Sequence, residues 1–238
     1  MKIGIFQDIH ANLPAFEKGV NFFIEHKCSS IFHVGDLIGI GPYPKETVEM
    51  AISIENMKFI MGNHDYWYAY GLPKPIPNYM NKEEVMHHKW THEQIGERFK
   101  VFFKRWKFEE KLQFSNDRII TFQHYGLDAS KQWFKPHILF PTVKDLDELF
   151  NEADSTYIFY GHNHLASDIK GKSRYVNLGS GGCFDKPEVR LGIVEVSEEN
   201  IFLNQFSIPY EDNGLMEEYE KRRVPAREFI NKVFIKRT

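Results

Sequence analysis

Five apolar, strand-like runs in this chain each end in Asp, Asn or His. That recurrence limits the available folds more than any other feature. Ile3-Gly4-Ile5-Phe6 runs into Asp8-Ile9-His10, and Ile31-Phe32-His33-Val34 into Gly35-Asp36. Met57 to Met61 opens into Gly62-Asn63-His64-Asp65, Ile119 to Phe122 leads to His124, and Tyr157 to Tyr160 meets Gly161-His162-Asn163-His164. Taken singly, such Gly, Asn and Asp loops are ordinary turn chemistry. Taken as an ordered set, they point to one site assembled from strand tips, where open α/β sheets build their clefts.

Between these tips the chain alternates. Leu13 to Lys27 has apolar residues at helical spacing (Phe16, Val20, Phe23, Ile24), and Asn12 with Pro14 marks the helix start. A strand over 31–35, a Gly/Pro loop and a helix near 45–55 repeat the plan, so the first third reads as βαβαβ with a parallel sheet. Residues 66–115 break the rhythm: an aromatic run from Tyr66 and the prolines at 73, 75 and 77 precede a predicted helix over 83–107. That segment reads as a helical cap inserted in a single domain spanning 1–238. Strands are predicted again at 119–124, 157–161, 175–177, 191–196 and 201–206, the last two joined by the turn 197–200, and helical signals close the chain from 215.

With 238 residues and 42% apolar content the chain can bury one substantial core. A net charge of −3 gives no sign of the basic face that extended nucleic acid requires. Cys28 and Cys183 form no zinc or disulfide spacing, which fits a reducing compartment. No apolar run reaches membrane-spanning length, and the first residues already form a motif-bearing strand instead of a signal peptide, so a cytoplasmic location is expected. Along a strand, residues two apart share a side. Asp8 with His10, and His162 with His164, are thus each expected to reach a common centre or two adjacent ones. Oxygen and imidazole donors without thiolate suit Mn, Fe, Zn, Co or Ni.

The ordered motifs Asp-x-His, Gly-Asp, Gly-Asn-His-Asp, His and Gly-His-x-His, with Asn177-Leu178-Gly179-Ser180 beyond them, resemble those of the calcineurin-like metallophosphoesterases, in particular their small prokaryotic members. The resemblance implies two mixed β-sheets face to face with helices on both outer sides. It implies two divalent metals, Mn or Fe favoured, one held by Asp8, His10, Asp36 and His164, the other by Asp36, Asn63, His124 and His162. Asp36 would bridge them, and a shared hydroxide would attack a phosphate ester. Two divalent ions bring about +4, the carboxylates about −2 and hydroxide about −1, so the site attracts anions. His64 would face the leaving-group oxygen. Departures are Ala11, where Gly commonly follows Asp-x-His, and Tyr125 after His124, where His-Gly is usual. Tyr125 is therefore expected, with Tyr66 and Trp67, to touch substrate.

Three readings of function follow. The first is a metal-dependent phosphodiesterase or phosphomonoesterase. The second narrows it to a dinucleoside polyphosphate hydrolase, whose cap aromatics would stack an adenine and direct asymmetric cleavage of diadenosine tetraphosphate to AMP and ATP. The third is a non-catalytic protein-binding scaffold, as in a retromer subunit of the same fold that lacks the catalytic His, which here is His64. His33 reads as a satisfied core residue, and the pair His88 and His92 as pocket wall or surface and not a metal site. In the tail, the stripe Phe229, Ile230, Val233, Phe234 reads either as packing on its own domain or as a homodimer contact.

Overall fold

The computed structural model describes residues 1–115, 117–197, 199–212 and 214–236. Of the turn expected over 197–200, Glu198 lies outside them. Strands β1 (Lys2–Phe6), β2 (Ser30–Val34) and β3 (Met57–Ile60) run parallel. The sheet is completed by β9 (Glu188–Val196), antiparallel to β1, and β10 (Ile201–Pro209), antiparallel to β9. The second sheet has the order β4 (Glu109–Ser115), β5 (Arg118–Gln123), β6 (Tyr157–Phe159), β8 (Arg174–Asn177), β7 (Ser167–Lys170), with β5, β6 and β8 parallel.

The sheets meet through the alternate side chains of their strands. Ile3, Ile5, Phe32, Val34 and Ile60 from one interlock with Ile120, Phe122, Phe159 and Val176 from the other. Phe32 and Phe122 stack with centroids 3.9 Å apart. The opposite faces are covered by helices: Phe16, Val20 and Phe23 of α1 (Leu13–Glu25) and Val48 and Ala51 of α2 (Pro44–Ser53) on the first sheet, and Leu146 and Leu149 of α6 (Val143–Leu149) on the second. The Asn12 side chain caps α1 by accepting from the Ala15 amide at 3.2 Å. The sandwich expected from the sequence is therefore the observed fold. Among the described residues no helix is long and apolar enough to cross a membrane.

Three local expectations change. The inserted segment ends earlier than residue 115, because 109–115 form β4, paired antiparallel with β5 at the edge of the second sheet. The single helix over 83–107 is two, α4 (Lys82–Ile95) and α5 (Lys100–Phe103), parted at Gly96, whose φ of 75° L side chains avoid. After α7 (Leu215–Lys221), the tail helix is one turn, α8 (Arg227–Ile230), continuing as a π-helical turn at Asn231–Ile235. Ile230 and Ile235 bury against Leu215, Tyr219 and Val224, whereas Phe229 and Val233 stay exposed.

Candidate metal centre and active site

All five motif loops lie at the C-terminal ends of parallel strands: after β1, β2, β3, β5 and β6. The pleat does not aim the ligands, contrary to the expectation for Asp8/His10 and His162/His164. β1 ends at Phe6 and β6 at Phe159, so both pairs lie past the last strand residue. Asp8, His10, Asp36, His162 and His164 instead all adopt left-handed backbone, with φ of 51°, 48°, 57°, 73° and 58°. Each such residue costs roughly 1–2 kcal/mol, and strain of this kind persists where surrounding contacts over-determine it. Ala11 shares that conformation at φ 53°, which gives a physical reason for glycine at this position in the related motif.

The loops are held by one another. Asp65, to which the sequence reading assigned no role, is fully buried and accepts four backbone N–H groups: Asp36 at 2.7 Å, Leu37 at 3.1 Å, Ile38 at 3.4 Å and Gly62 at 3.1 Å. It ties the Asp36 loop to the start of α3 (Asn63–Tyr70). A Cβ on Gly62 would lie 2.2 Å from Asp36 Oδ1, so only glycine admits that approach. On the other side the His162 amide donates to both Asp8 oxygens at 3.2 Å. The Gln7 amide nitrogen donates to Tyr160 O and Asn177 Oδ1. Asp65 and Asn177 belong to the motifs quoted above but had no role assigned to them, and Gln7 lies beside the first motif.

Within this frame the seven expected ligands converge. His10 Nε2 lies 2.9 Å from His164 Nε2 and 3.8 Å from both Asp8 Oδ1 and Asp36 Oδ2. His164 Nε2 is 3.7 Å from Asp8 Oδ1. Alongside, His124 Nε2 is 3.3 Å from Asp36 Oδ2 and from Asn63 Oδ1, and His162 Nδ1 is 2.9 Å from the same Asn63 oxygen. Asp36 thus stands between two donor groups. The other ring nitrogens of His10 and His124 face the Ile38 and Val34 carbonyls at 3.2 and 3.0 Å, which turns Nε2 of both rings inward.

The electrostatics describe a place for cations. Burial, with neighbouring imidazoles, pushes His10 and His162 well below the ordinary histidine value and His164 down to about 4, leaving them neutral donors. Burial, against the pull of His124, raises Asp8 to about 7. Burial acts on His124 in the lowering direction, but Asp36 and Asp8 outweigh it and hold this imidazole up at about 9. Divalent metal ions fit this set of two carboxylates, four imidazoles and an amide oxygen.

His64, on the first turn of α3, donates its amide to Asp36 Oδ1 at 2.9 Å while its ring turns elsewhere. The ring is edge-on to His10 and Trp67, with centroids at 5.0 and 5.3 Å, and 4.9 Å from His88. One of its nitrogens lies within 4.8 Å of donor atoms of His10 and Asp36. His64 Nδ1 has no hydrogen-bond partner among the described residues, and burial holds the ring well below its ordinary value, hence neutral.

A cavity of about 790 Å³ opens above the centre, with Asp36, Asn63, His64, His162 and His164 in its floor. Trp67 lines it, joined by Phe234 of the tail stripe and by Tyr79, Trp133 and Phe134 from loops that carried no sequence signal. Tyr66 faces a neighbouring groove with Tyr70 and Trp133. Tyr125 does not meet the cavity. It is fully buried behind His162, 4.8 Å between centroids, and its hydroxyl accepts from the Ile138 amide at 2.7 Å. Its ring packs with Leu146, Leu149 and Tyr160, so apolar burial overrides its place beside a ligand. His88 is cap wall, as expected, against Trp67 and His64. His33 is buried, but neither of its nitrogens has a hydrogen-bond partner among the described residues.

Residues 1–199 match the calcineurin-like phosphoesterase superfamily domain. The chain belongs to that superfamily. An uncharacterised protein of Methanocaldococcus jannaschii is 30% identical over 163 residues, which are 68% of this chain and 62% of that protein. The chain therefore spans about three-fifths of the curated relative it matches. The same fold occurs in a hypothetical protein from Pyrococcus horikoshii, with a TM-score of 0.79 at 16% identity over 98% of both chains. It occurs also in a metallophosphoesterase from Sphaerobacter thermophilus, with a TM-score of 0.69 at 19% identity over 97% of both.

Proposed function

We propose that this protein is a metal-dependent phosphoesterase acting on a phosphate ester with an aromatic or base-like substituent. The observation that carries the reading is the convergence of Asp8, His10, Asp36, Asn63, His124, His162 and His164 on two adjacent positions sharing Asp36. We infer that these residues hold two divalent ions, which when bound would supply an activated water and neutralise phosphoryl charge.

The chain's own residues then divide the remaining work. Asp8, His10 and His164 would hold one ion, Asn63, His124 and His162 the other, with Asp36 between them. His64, neutral and without a hydrogen-bond partner at Nδ1 among the described residues, is suited to donate a hydrogen bond to charge developing on the leaving oxygen. This favours electrostatic stabilisation over transfer from an imidazolium. Trp67, Trp133 and Tyr79 would stack the organic group and exclude water.

The narrower reading, asymmetric hydrolysis of diadenosine tetraphosphate, draws on the same aromatics. A long polyphosphate needs further cations, however, and Lys135 on the cavity wall commits its ammonium to the Glu148 and Leu149 carbonyls and to Asn151. The shorter ester is therefore preferred. The deciding test measures hydrolysis of bis(p-nitrophenyl) phosphate, p-nitrophenyl phosphate and diadenosine tetraphosphate with Mn²⁺, Zn²⁺ or Co²⁺. Turnover that chelation abolishes and metal restores supports the reading. Metal binding without hydrolysis of any ester would favour the scaffold reading instead.

A further inference from the structure

Cys183 lies outside every motif, yet the fold delivers it to the centre. Its Sγ and the ring nitrogens of His10 and His164 all lie within 4.8 Å of one another. The residue is 6% exposed. We infer that Cys183 supplies a sulfur ligand to the ion held by His10 and His164, so that this position is a mixed N, O and S site. The inference rests on the proposed metal centre and goes beyond its oxygen and nitrogen ligands.

The segment carrying the thiol is fastened to the first motif along its whole length. Gly181 N donates to Gln7 O at 2.9 Å and Gly182 N to Asp8 O at 3.0 Å. Ser180 Oγ donates to Asp8 O at 2.7 Å and accepts from the Cys183 amide at 2.8 Å. Asn12 Nδ2 donates to Gly182 O at 2.8 Å. A Cβ on Gly182 would lie 1.8 Å from Ile9 O, so the approach exists only because no side chain stands there. These bonds lock residues 180–183 onto residues 7–12, the stretch that carries Asp8 and His10. The thiol is thus positioned by the same contacts that position two of the ligands.

The chemistry alters metal choice. Carboxylate and imidazole alone separate Mn, Fe, Co, Ni and Zn poorly, whereas a thiolate favours the softer ions. With Cys183 included, zinc, iron or cobalt is preferred over manganese at this position, and the two positions of the centre differ in preference. Ligation breaks the S–H bond, forms the S–metal bond and releases the proton to solvent. Cys28, the other cysteine of the chain, sits where α1 leads into β2 and outside the cluster.

The test uses the full chain loaded with Zn²⁺ and read by absorption at the zinc K-edge. A sulfur neighbour near about 2.3 Å is expected in the wild type and in C28S, and its loss in C183S. Co²⁺ loading gives an independent readout: a sulfur-to-cobalt charge-transfer band in the near ultraviolet, present in the wild type and absent in C183S. In competition, C183S should also lose part of its preference for zinc over manganese. Should C183S fail to fold, a sulfur neighbour retained in C28S assigns the ligand to Cys183, the one cysteine remaining. Zinc bound with no sulfur neighbour, or a neighbour that persists in C183S, overturns the inference while leaving the metal centre intact. No zinc or cobalt bound at all overturns both.

Discussion

Replacing His33 with leucine separates a purely electrostatic consequence of this fold from its chemistry. His33 sits in β2 with its ring 5.6 Å from Phe6 and 6.2 Å from Phe59. Burial, with a smaller contribution from His124, pushes it down to about 3. In the unfolded chain it titrates near about 6.5. Above that pH neither state binds the proton, and His33 makes no pH-dependent contribution. Between about 6.5 and 3 the unfolded chain binds a proton that the folded chain refuses, so stability falls as the solution is acidified. At pH 5 this single linkage amounts to about 2 kcal/mol, and at pH 7.5 to almost nothing. Urea unfolding of the wild type and H33L, followed by tryptophan fluorescence at pH 7.5 and 5.0, reads the difference. The wild type should lose about 2 kcal/mol more than the variant between the two conditions. That is about 0.7 M in midpoint for a slope near 3 kcal/mol per M. Equal losses would mean that His33 keeps a near-normal proton affinity inside the fold, and the reasoning from burial would fail.

D36N should abolish turnover and lower metal content at both positions, measured by elemental analysis, because the carboxylate lies between the two donor groups. H64A should retain its metal and lose roughly 10²–10³-fold in turnover, as removal of one preorganised hydrogen-bond donor does; a variant isolated metal-free would show His64 to be a ligand. D65N turns an acceptor into a donor facing backbone N–H groups now held at 2.7–3.4 Å, costing about 1–3 kcal/mol for each N–H left stranded. Its melting temperature and metal content should fall together, and an unchanged metal content would separate Asp65 from the positioning of Asp36. W67A should raise KM for an ester bearing a nucleobase more than for a small chromogenic diester, as loss of remote uniform binding does; equal losses would make Trp67 structural.

The order of strands and motif loops was legible in the sequence because both are local. An apolar run of four to six residues and the polar residues that end it are contiguous, and the parallel βαβ rule then brings Asp8, Asp36 and Asn63 to one edge. The candidate ligands are residue types recurring at those tips, and their assignment as a set came from the resemblance to the family. How the ligands are aimed did not follow. Asp8, His10, Asp36, His162 and His164 adopt a left-handed φ, and their loops are held by hydrogen bonds between segments apart in the chain, such as Asp36 N–H to the Asp65 carboxylate and His162 N–H to the Asp8 carboxylate. The fate of Tyr125 was equally non-local: adjacency to His124 placed it near the centre, and packing against α6 turned it away. Cys183 is the sharpest case. It is 173 residues from His10 in sequence and has no motif spacing, and only the close approach that Gly182 permits carries its sulfur to the histidines. Sequence determined which chemistry the strand tips could hold, since residue type and local period are written along the chain. Tertiary structure alone decided which side chains face the centre, since that depends on contacts whose two halves lie far apart in sequence.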